Sequence, residues 1–477
     1  MKFTKIINDH TLFNIANFDN TLEKYMNKQP FNKTVIAISI SMILASGVAN
    51  AQEDVAEKKE KKGGLFEVIE VTAQKRSQNI QEVGVSVNAF SENEIDALGI
   101  QEASDVMAFT PGATLTSAGQ GVPVYTIRGI GFDDYNSNSS STVGINVDEV
   151  ALPYPIMTRV PQYDVERVEI LKGPQGTLFG QNTTGGTVNF IHNKPEDFNY
   201  GSVKVSYDSD GMAGLEGFVN APITDTLNGR FSFFTEQGGA WQENAAVGGE
   251  GQEHGDSDKV AFRVQLGWAA TDDVNVLFAA DYHKDESDNI VPQHSEIFYV
   301  SPGADPDVLA YVDNAFISGG LPDKNDPNAA SWAPKGNTFG GANPDGKFDR
   351  DNDGLLLSLR VDWEFDDMTL TSVSAFNDYS RDEANAWDGV AAGNWDSYNN
   401  TNIEAWSQEL RLTSNADGDF NWIAGVYFSG DEITEISSGS GGISSAGMFI
   451  VPEKNKHYNE FQYKYLKKGK KSRETSK

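Results

Sequence analysis

The sequence contains no cysteine among its 477 residues. A chain without cysteine has no disulfide, no thiolate metal site, no cysteine nucleophile and no lipoprotein anchor. Positive charge is also scarce, because 37 Lys and Arg stand against 69 Asp and Glu and leave a formal net charge of −32. Binding to nucleic-acid phosphates needs a basic surface, so this composition argues against nucleic acid as a partner.

Long apolar runs are missing as well. The candidate at residues 35–48 is well short of the ~20 residues that span a bilayer. Lys33 precedes it and Ala49-Asn50-Ala51 follows, and this pattern is typical of a secretory signal. We therefore predict a cleaved signal peptide over residues 1–51, with Met26 as the expected start. The rest of the chain offers no membrane helix, so it is either soluble outside the cytoplasm or held in a membrane by strands.

Residues 52–195 divide into a linker and a small domain. Residues 52–76 are polar and charged at first and then include a short extended segment. In residues 77–195, Ser91 and Glu94 form a capping-box pattern that opens a short helix, and a second short helix ends before Pro111. Four or five short strands accompany these helices. The pattern predicts a small α+β domain.

From residue 199 onward the sequence alternates between apolar and polar residues. The stretch "KVAFRVQLGW" (259–268) puts Val260, Phe262 and Val264 on one face of a strand and Arg263 and Gln265 on the other. A soluble β-sandwich and a membrane β-barrel both give this period of two. Strands of about ten residues, short turns on one side and a long polar excursion on the other favour the barrel. We predict about nine antiparallel strands between residues 199 and 434 and assign residues 196–453 to an incomplete barrel.

A glycine-rich stretch, "LKGPQGTLFGQNTTGGTVNF", covers residues 171–190. A phosphate loop would need Gly-Lys-Ser or Gly-Lys-Thr and a following helix, and a dinucleotide site would need G-x-G-x-x-G. Neither pattern is present. The glycines are therefore interpreted as positions where the backbone turns tightly or passes close to a neighbouring wall.

Metal and catalytic sites are not predicted. The stretch "DRDNDG" (349–354) begins like a calcium loop, but its twelfth position is Arg360 where a glutamate is needed. It is interpreted as a polar loop end. The histidines have no paired spacing, and no cofactor is expected.

The segment "VERVEILKGPQGTLFGQNTTGGTVNFIHNKP" (165–195) closely resembles the end of the plug domain of TonB-dependent outer-membrane receptors. The stretches "YTIRGIG" (125–131) and "VDEV" (147–150) match other plug signatures, and "IEVTAQKR" (69–76) resembles the TonB box. The stretches "SQELRLTS" (407–414) and "DFNWIAGVYF" (419–428) are similar to barrel strands of the same receptors. The resemblance covers residues 67 to about 435.

The resemblance implies a transporter in the outer membrane that does no chemistry on its ligand. Its fold class would be mainly β, with a small α+β plug domain followed by antiparallel strands of a transmembrane barrel. The TonB protein would pair with an extended segment by main-chain bonding to a strand edge. Residues matching that segment, the TonB box, are Val68, Ile69, Glu70, Val71, Thr72 and Ala73. This function needs the segment to be unfolded and tethered by the preceding linker; a strand belonging to the plug is the alternative.

Other residues take roles from the same resemblance. Four charged residues are expected to pair within the plug or with the barrel wall, although Glu169 could equally be a solvated surface charge: Arg128, Glu166, Arg167 and Glu169. The structural glycines of the plug are Gly129, Gly173, Gly176, Gly180, Gly185 and Gly186. Ligand contacts are expected from apical loops, with Gln120 and Tyr135 as the candidates.

The expected ligand is an iron–siderophore complex, with a non-iron organic ligand such as an oligosaccharide or cobalamin as the alternative. A secreted β-rich binding protein is the other function class left open. The family's barrels have many more strands than nine, since ~22 strands are needed for a plugged lumen. Residues 454–477 hold nine Lys or Arg and two Glu, so we expect this basic tail to be aberrant and the chain to be an incomplete receptor.

Overall fold

The computed structural model describes residues 70–476 except residues 73, 77, 82, 118–120, 135, 247, 294–325, 327, 333–347, 387–395, 416–420, 441–459 and 468–474. Within these ranges no helix is long and apolar enough to cross a membrane.

Residues 70–195, here called the plug region, contain nine strands and three short α-helices. In chain order they are β1 (Glu70–Val71), β2 (Gln78–Asn79), β3 (Ser86–Ser91), α1 (Glu92–Leu98), α2 (Ala103–Ala108), β4 (Ala113–Ser117), β5 (Pro123–Ile127), β6 (Val143–Val147), β7 (Val150–Leu152), β8 (Val165–Lys172), α3 (Gly176–Phe179) and β9 (Gly186–His192), with a 3₁₀ turn at Pro155–Thr158. The expected small α+β fold is confirmed.

Both predicted helices form, and their ends follow local capping rules. Ser91 precedes α1 and its backbone N–H donates to Glu94 Oε2 at 2.9 Å, which completes the predicted capping box. Gly99 ends α1 in the left-handed conformation with a φ of 68°, which a glycine adopts without strain.

The main sheet of the plug region has the order β3-β8-β9-β6-β7, with β6 and β9 parallel and the other neighbours antiparallel. Its apolar face packs against α1, α2 and the β4–β5 hairpin. The centre of this core consists of fully buried side chains: Val106, Ile127, Val168, Ile170, Val188 and Phe190. This sheet places β8 and the glycine-rich stretch beside the N-terminal strand β1.

The remaining strands form one large antiparallel sheet and one small sheet. They are β10 (Tyr200–Tyr207), β11 (Ala213–Pro222), β12 (Leu227–Gly238), β13 (Gln242–Asn244), β14 (Glu253–His254), β15 (Ser257–Thr271), β16 (Val274–Asp285), β17 (Ala329–Ala330), β18 (Arg350–Glu364), β19 (Met368–Ala386), β20 (Asp396–Ser414), β21 (Ile423–Ser440), β22 (Glu460–Lys467) and β23 (Thr475–Ser476). The small sheet has the order β14-β13-β17. All the others belong to the large sheet, here called the wall sheet.

The wall sheet has nine strands between residues 200 and 440, as predicted. Alternation in β15 places Ala261, Arg263 and Gln265 inside, whereas Phe262 and Val264 are exposed on the other face. Such a face of alternating apolar residues meets lipid in a membrane barrel, while the opposite face meets the lumen. The plug region contacts the inner face from β10 to β21.

Three details differ from the sequence interpretation. Residues 350–354 of the supposed loop end already belong to β18, because they pair with β16 and β19. Asp148 and Glu149 have positive φ values and form a turn between β6 and β7, so the described part of residues 77–195 has more strands than the four or five expected. In the basic tail, residues 460–467 pair with β21, and this segment does alternate, with aromatic residues at every second position from 461 to 465.

Candidate functional site: the docked N-terminal segment and the plug–wall charges

The N-terminal segment, Glu70 to Thr72, lies against the plug region. Strand β1 pairs with β2 in antiparallel register, and the Val71 side chain is fully buried against Leu171. The expected unfolded state is therefore wrong for Glu70 and Val71 in this conformation: burial of an apolar side chain and main-chain pairing hold them in a strand. Val68, Ile69 and Ala73 lie outside the described residues.

The side chain of Glu169 on β8 fixes the end of this segment. Its Oε1 accepts hydrogen bonds from the backbone N–H of Thr72 at 2.7 Å and the Thr72 hydroxyl at 3.1 Å. Arg167 Nε donates to the same oxygen at 2.9 Å, and Glu169 is fully buried. The reading of Glu169 as a solvated surface charge is therefore wrong.

The other predicted plug charges also make contacts within the plug region. Arg167 pairs with the half-exposed Glu166 at 2.6 Å. Arg128 donates to Ser86 Oγ at 2.9 Å and has a φ of 52°. The hydrogen bonds and ion pairs described for these residues lie within the plug region. Other side chains make the plug–wall ion pairs.

Glu149, at the turn between β6 and β7, is the centre of one plug–wall charge cluster. Its carboxylate pairs with Lys75 Nζ at 3.1 Å, with Arg411 Nη1 at 2.9 Å and with Arg360 Nη1. Glu409 pairs with Arg411 at 2.5 Å and lies 3.7 Å from Lys75. Burial alone would raise the pKa of Glu149, but the three cations outweigh it and hold that pKa well below the usual value.

With Asp362, which pairs with Arg360 at 2.6 Å, this cluster contains three cations and three carboxylates. It therefore balances its own charge between the plug region and the inner face of the wall sheet. Lys75 stands three residues after the docked Thr72, so the cluster and the N-terminal segment are joined by a very short piece of chain.

Asp164 makes a second, more buried contact with the wall. Its carboxylate accepts from Arg230 Nε at 2.7 Å and Nη2 at 2.5 Å, and both side chains are at most 3% exposed. A bidentate pair of this kind combines charge with fixed orientation. Asp164 thus anchors the segment before β8 to β12.

Three further ion pairs join the plug region to the wall. Arg159 pairs with Glu383 at 3.1 Å, Glu102 with Lys259 at 2.7 Å and Asp96 with Lys204 at 2.5 Å. Sequence reasoning did not find these partners. The sequence signals only the wall residue of each pair, as a charged residue at an inward-facing position of an amphipathic strand. It does not identify the plug residue that pairs with it.

The glycines of residues 171–190 serve the plug's own packing. A Cβ on Gly186 would lie 2.3 Å from the carbonyl oxygen of Leu171, and one on Gly185 would lie 3.0 Å from that of Ile130. The expected close approach to the barrel wall is therefore wrong for these two positions, because the neighbours are backbone atoms of the plug region. Gly173, Gly180 and Gly129 have positive φ values, whereas a Cβ on Gly176 would meet open space.

The apical candidates Gln120 and Tyr135 lie outside the described residues. Ser137, which is described, accepts a hydrogen bond at its hydroxyl from Arg381 Nη1 at 2.8 Å, and the Ser137 backbone N–H donates to Glu435 Oε1 at 3.2 Å. The loop after Tyr135 is thus attached to β19 and β21. No cluster of three His, Asp or Glu suited to a metal ion occurs in the described part of the chain.

Comparisons with known proteins agree with this geometry. Residues 79–187 match the model of the TonB-dependent receptor plug domain. The chain is 26% identical over 210 residues to an iron-regulated outer membrane virulence protein of Vibrio cholerae, covering 42% of this chain and 31% of that protein. It is 25% identical over 209 residues to the vitamin B12 transporter BtuB of Photobacterium profundum, covering 43% and 32%.

The solved structure of the ferric yersiniabactin uptake receptor FyuA from Yersinia pestis is also similar. It superimposes with a TM-score of 0.59 at 19% identity, covering 75% of this chain and 50% of that one. The matched segment spans about a third of the length of the two curated relatives.

Proposed function

The chain contains a plug domain and antiparallel wall strands of the kind found in TonB-dependent receptors, and we propose that it acts in active uptake of a scarce ligand across the outer membrane. The observation that carries this proposal is a plug region docked on the inner face of an amphipathic wall by ion pairs, of which the Asp164–Arg230 and Arg159–Glu383 pairs are largely buried. Breaking a buried pair leaves an uncompensated charge, so these contacts hold the plug region against the wall. The role involves transport without catalysis.

Outer-membrane lipid is the proposed surrounding of the wall sheet. Large apolar side chains are exposed on its outer face, and a soluble surface seldom carries so continuous a set: Val205, Val219, Phe231, Phe262, Val264, Leu359, Phe376, Leu410, Val426 and Phe428. This face argues against the alternative of a secreted soluble binding protein.

We assign residues 1–51 to a cleaved signal peptide, 52–76 to the linker and TonB box, 77–195 to the plug and 196–453 to the wall. Residues 68–73 are the proposed partner site for TonB. Because Val71 is buried and Thr72 is bonded to Glu169, this segment must leave the plug region before it can pair with another protein.

The proposed ligand is a ferric siderophore. The Vibrio cholerae relative is described as iron-regulated and the Photobacterium profundum relative as a vitamin B12 transporter, so cobalamin is the second candidate. The strongly acidic composition disfavours a ligand with high negative charge.

The test is a substitution of Val71 by proline in the full chain, with Val71→Ile as the matched control. Proline removes the N–H needed for pairing with a strand edge, whereas isoleucine keeps both the N–H and the apolar shape. We expect Val71→Pro to abolish capture by the purified C-terminal domain of TonB and energy-dependent uptake of radioactive iron–siderophore or cyanocobalamin, while surface binding of the same probe persists. Undiminished capture and uptake by Val71→Pro would refute the TonB-box assignment.

A further inference from the structure

Three segments at one end of the wall sheet meet at His254, the last residue of β14. Its ring Nδ1 lies 3.0 Å from Asp288 Oδ2, just after β16, and its Nε2 lies 2.9 Å from the carbonyl oxygen of Phe348, just before β18. Both neighbours are acceptors when Asp288 is ionised. Both ring nitrogens of His254 therefore have a polar partner, and the ring connects β14 to the segments beside β16 and β18.

Asp256 brings a second carboxyl group to the same place. Its side chain is hydrogen-bonded to that of Asp288, and the two backbones also bond, with Asp288 N donating to Asp256 O at 3.0 Å. Asp288 Oδ2 additionally accepts from Gly255 N at 3.1 Å. Two carboxyl groups in direct contact share a proton more readily than they carry two charges.

The neighbouring charged residues do not compensate the repulsion between the Asp256 and Asp288 carboxylates. Arg350 donates to the backbone oxygen of Asp288 at 2.9 Å, but its other nitrogen pairs with Asp285 at 3.0 Å. Asp349 forms an isolated backbone bridge with Asp288, and Asp258 adds a further negative charge near Asp256. Lys284 pairs with Glu286 and Asp351 instead.

Two aromatic rings shield His254 from water, while Asp256 and Asp288 are half-buried. His254 is 6% exposed, its ring centroid is 5.4 Å from that of Trp332, and the Phe348 ring lies edge-on at 6.3 Å. Burial disfavours the ionised form of Asp256, and together with the contact to Asp288 it raises the pKa of Asp256 to about 7, although His254 opposes the shift. A buried histidine and two half-buried carboxyl groups therefore join β14 to the segments just after β16 and just before β18.

We propose that His254, Asp256 and Asp288 form a proton-dependent clamp, which fastens β14 and its small sheet to the base of the excursion between β16 and β18. With Asp256 protonated and Asp288 ionised, the Asp256 side chain donates to the Asp288 carboxylate, which also lies 3.0 Å from His254 Nδ1. Loss of the Asp256 proton puts two negative carboxylates in contact, and the clamp loosens.

The direction in which pH changes the stability of the clamp follows from the raised pKa of Asp256. A carboxyl group that holds its proton more tightly in the closed form than in the open one favours closure at low pH. The favourable contribution is complete near the usual pKa of 3.8 and is lost as the pH rises through about 7. The clamp is thus tight in mildly acidic medium and weak in alkaline medium.

The absence of cysteine allows a direct distance test. Spin labels on Glu253→Cys and Ile290→Cys, two exposed positions on either side of the clamp, report their separation by pulsed electron resonance. From pH 5 to pH 9 we expect a narrow distance distribution to broaden, with a midpoint near 7. Asp256→Asn keeps a donor toward Asp288 and should hold the narrow distribution across the whole range.

Glu286→Gln changes an exposed carboxylate two residues from Asp288 and is the matched control, expected to keep the parent midpoint. Infrared spectroscopy gives a second readout that does not depend on loop motion: a protonated-carboxyl band at neutral pH should vanish in Asp256→Asn. A distance distribution independent of pH in the parent, or an unchanged carboxyl band in Asp256→Asn, would overturn the clamp.

Discussion

Thr72 donates its backbone N–H to Oε1 of Glu169 at 2.7 Å, and this carboxylate is fully buried in β8. The contact joins a residue of the proposed TonB box to the centre of the main plug sheet. Because Arg167 holds the same oxygen, the acceptor is fixed in position before the segment docks. Docking of residues 70–72 is therefore a property of the plug sheet itself.

Removal of this acceptor should free the N-terminal segment. Hydrogen bonds to charged groups contribute about 1.5–3 kcal/mol, so we expect Glu169→Ala to raise the detached population by roughly tenfold or more. A spin label on Gln74→Cys should show a larger mobile fraction in its room-temperature spectrum. Glu166→Ala, which removes only the half-exposed partner of Arg167, is the control, and equal mobility in the two variants would contradict the role of Glu169.

Loss of the Glu149 carboxylate should destabilise the plug–wall contact. Glu149→Gln leaves Lys75, Arg360 and Arg411 with too little negative charge near them, and breaking a buried pair costs about 3–5 kcal/mol. The measurement is urea-induced unfolding in detergent micelles, followed by tryptophan fluorescence. Glu166→Gln, at a half-exposed ion pair, should cost no more than about 1 kcal/mol. Similar costs for both variants would mean that the Glu149 cluster is no stronger than a surface pair.

Local features of the fold could be predicted from the sequence, but the partners in the candidate site could not. The capping box at Ser91 and Glu94 depends on residues three positions apart, and the alternation of β15 depends on residues two positions apart. In contrast, Glu149 meets cations that are 74, 211 and 262 residues away in the chain. Nothing in a local pattern specifies which inward-facing arginine meets which plug carboxylate, because the docking of two separately folded surfaces decides it.

The docked state of β1, which the sequence leaves only as the alternative to an unfolded segment, depends on distant residues in the same way. Polar flanks and a charged linker made an unfolded segment the natural interpretation, while the buried position of Leu171 and the fixed acceptor on Glu169 are known only once β8 is placed in the sheet. The Asp148–Glu149 turn shows the same limit, since two non-glycine residues with positive φ are not signalled by composition.

The glycine-rich stretch offers a matched pair of substitutions. Gly186→Ala places a Cβ 2.3 Å from the Leu171 carbonyl oxygen, whereas Gly176→Ala meets open space at the start of α3. Overpacking a rigid interior typically costs about 1–3 kcal/mol, so Gly186→Ala should lower the free energy of unfolding by that amount and Gly176→Ala should leave it within about 0.5 kcal/mol. Urea-induced unfolding of both variants measures this difference in the free energy of unfolding. An unchanged free energy of unfolding for Gly186→Ala would show that β8 and β9 can move apart without loss of stability.

The pair between Glu102 and Lys259 should make plug docking sensitive to acid. Burial tends to raise the pKa of Glu102, but Lys259 outweighs it and lowers that pKa to about 2. A carboxyl group with a lowered pKa stabilises the docked form above its usual value of 4.5, and this contribution is lost as the pH falls toward 2. We expect the urea midpoint of the parent protein to fall between pH 5 and pH 2 more steeply than that of Glu102→Gln. Glu364→Gln, at an exposed glutamate, should follow the parent, and parallel curves for the parent and Glu102→Gln would exclude a contribution from this pair.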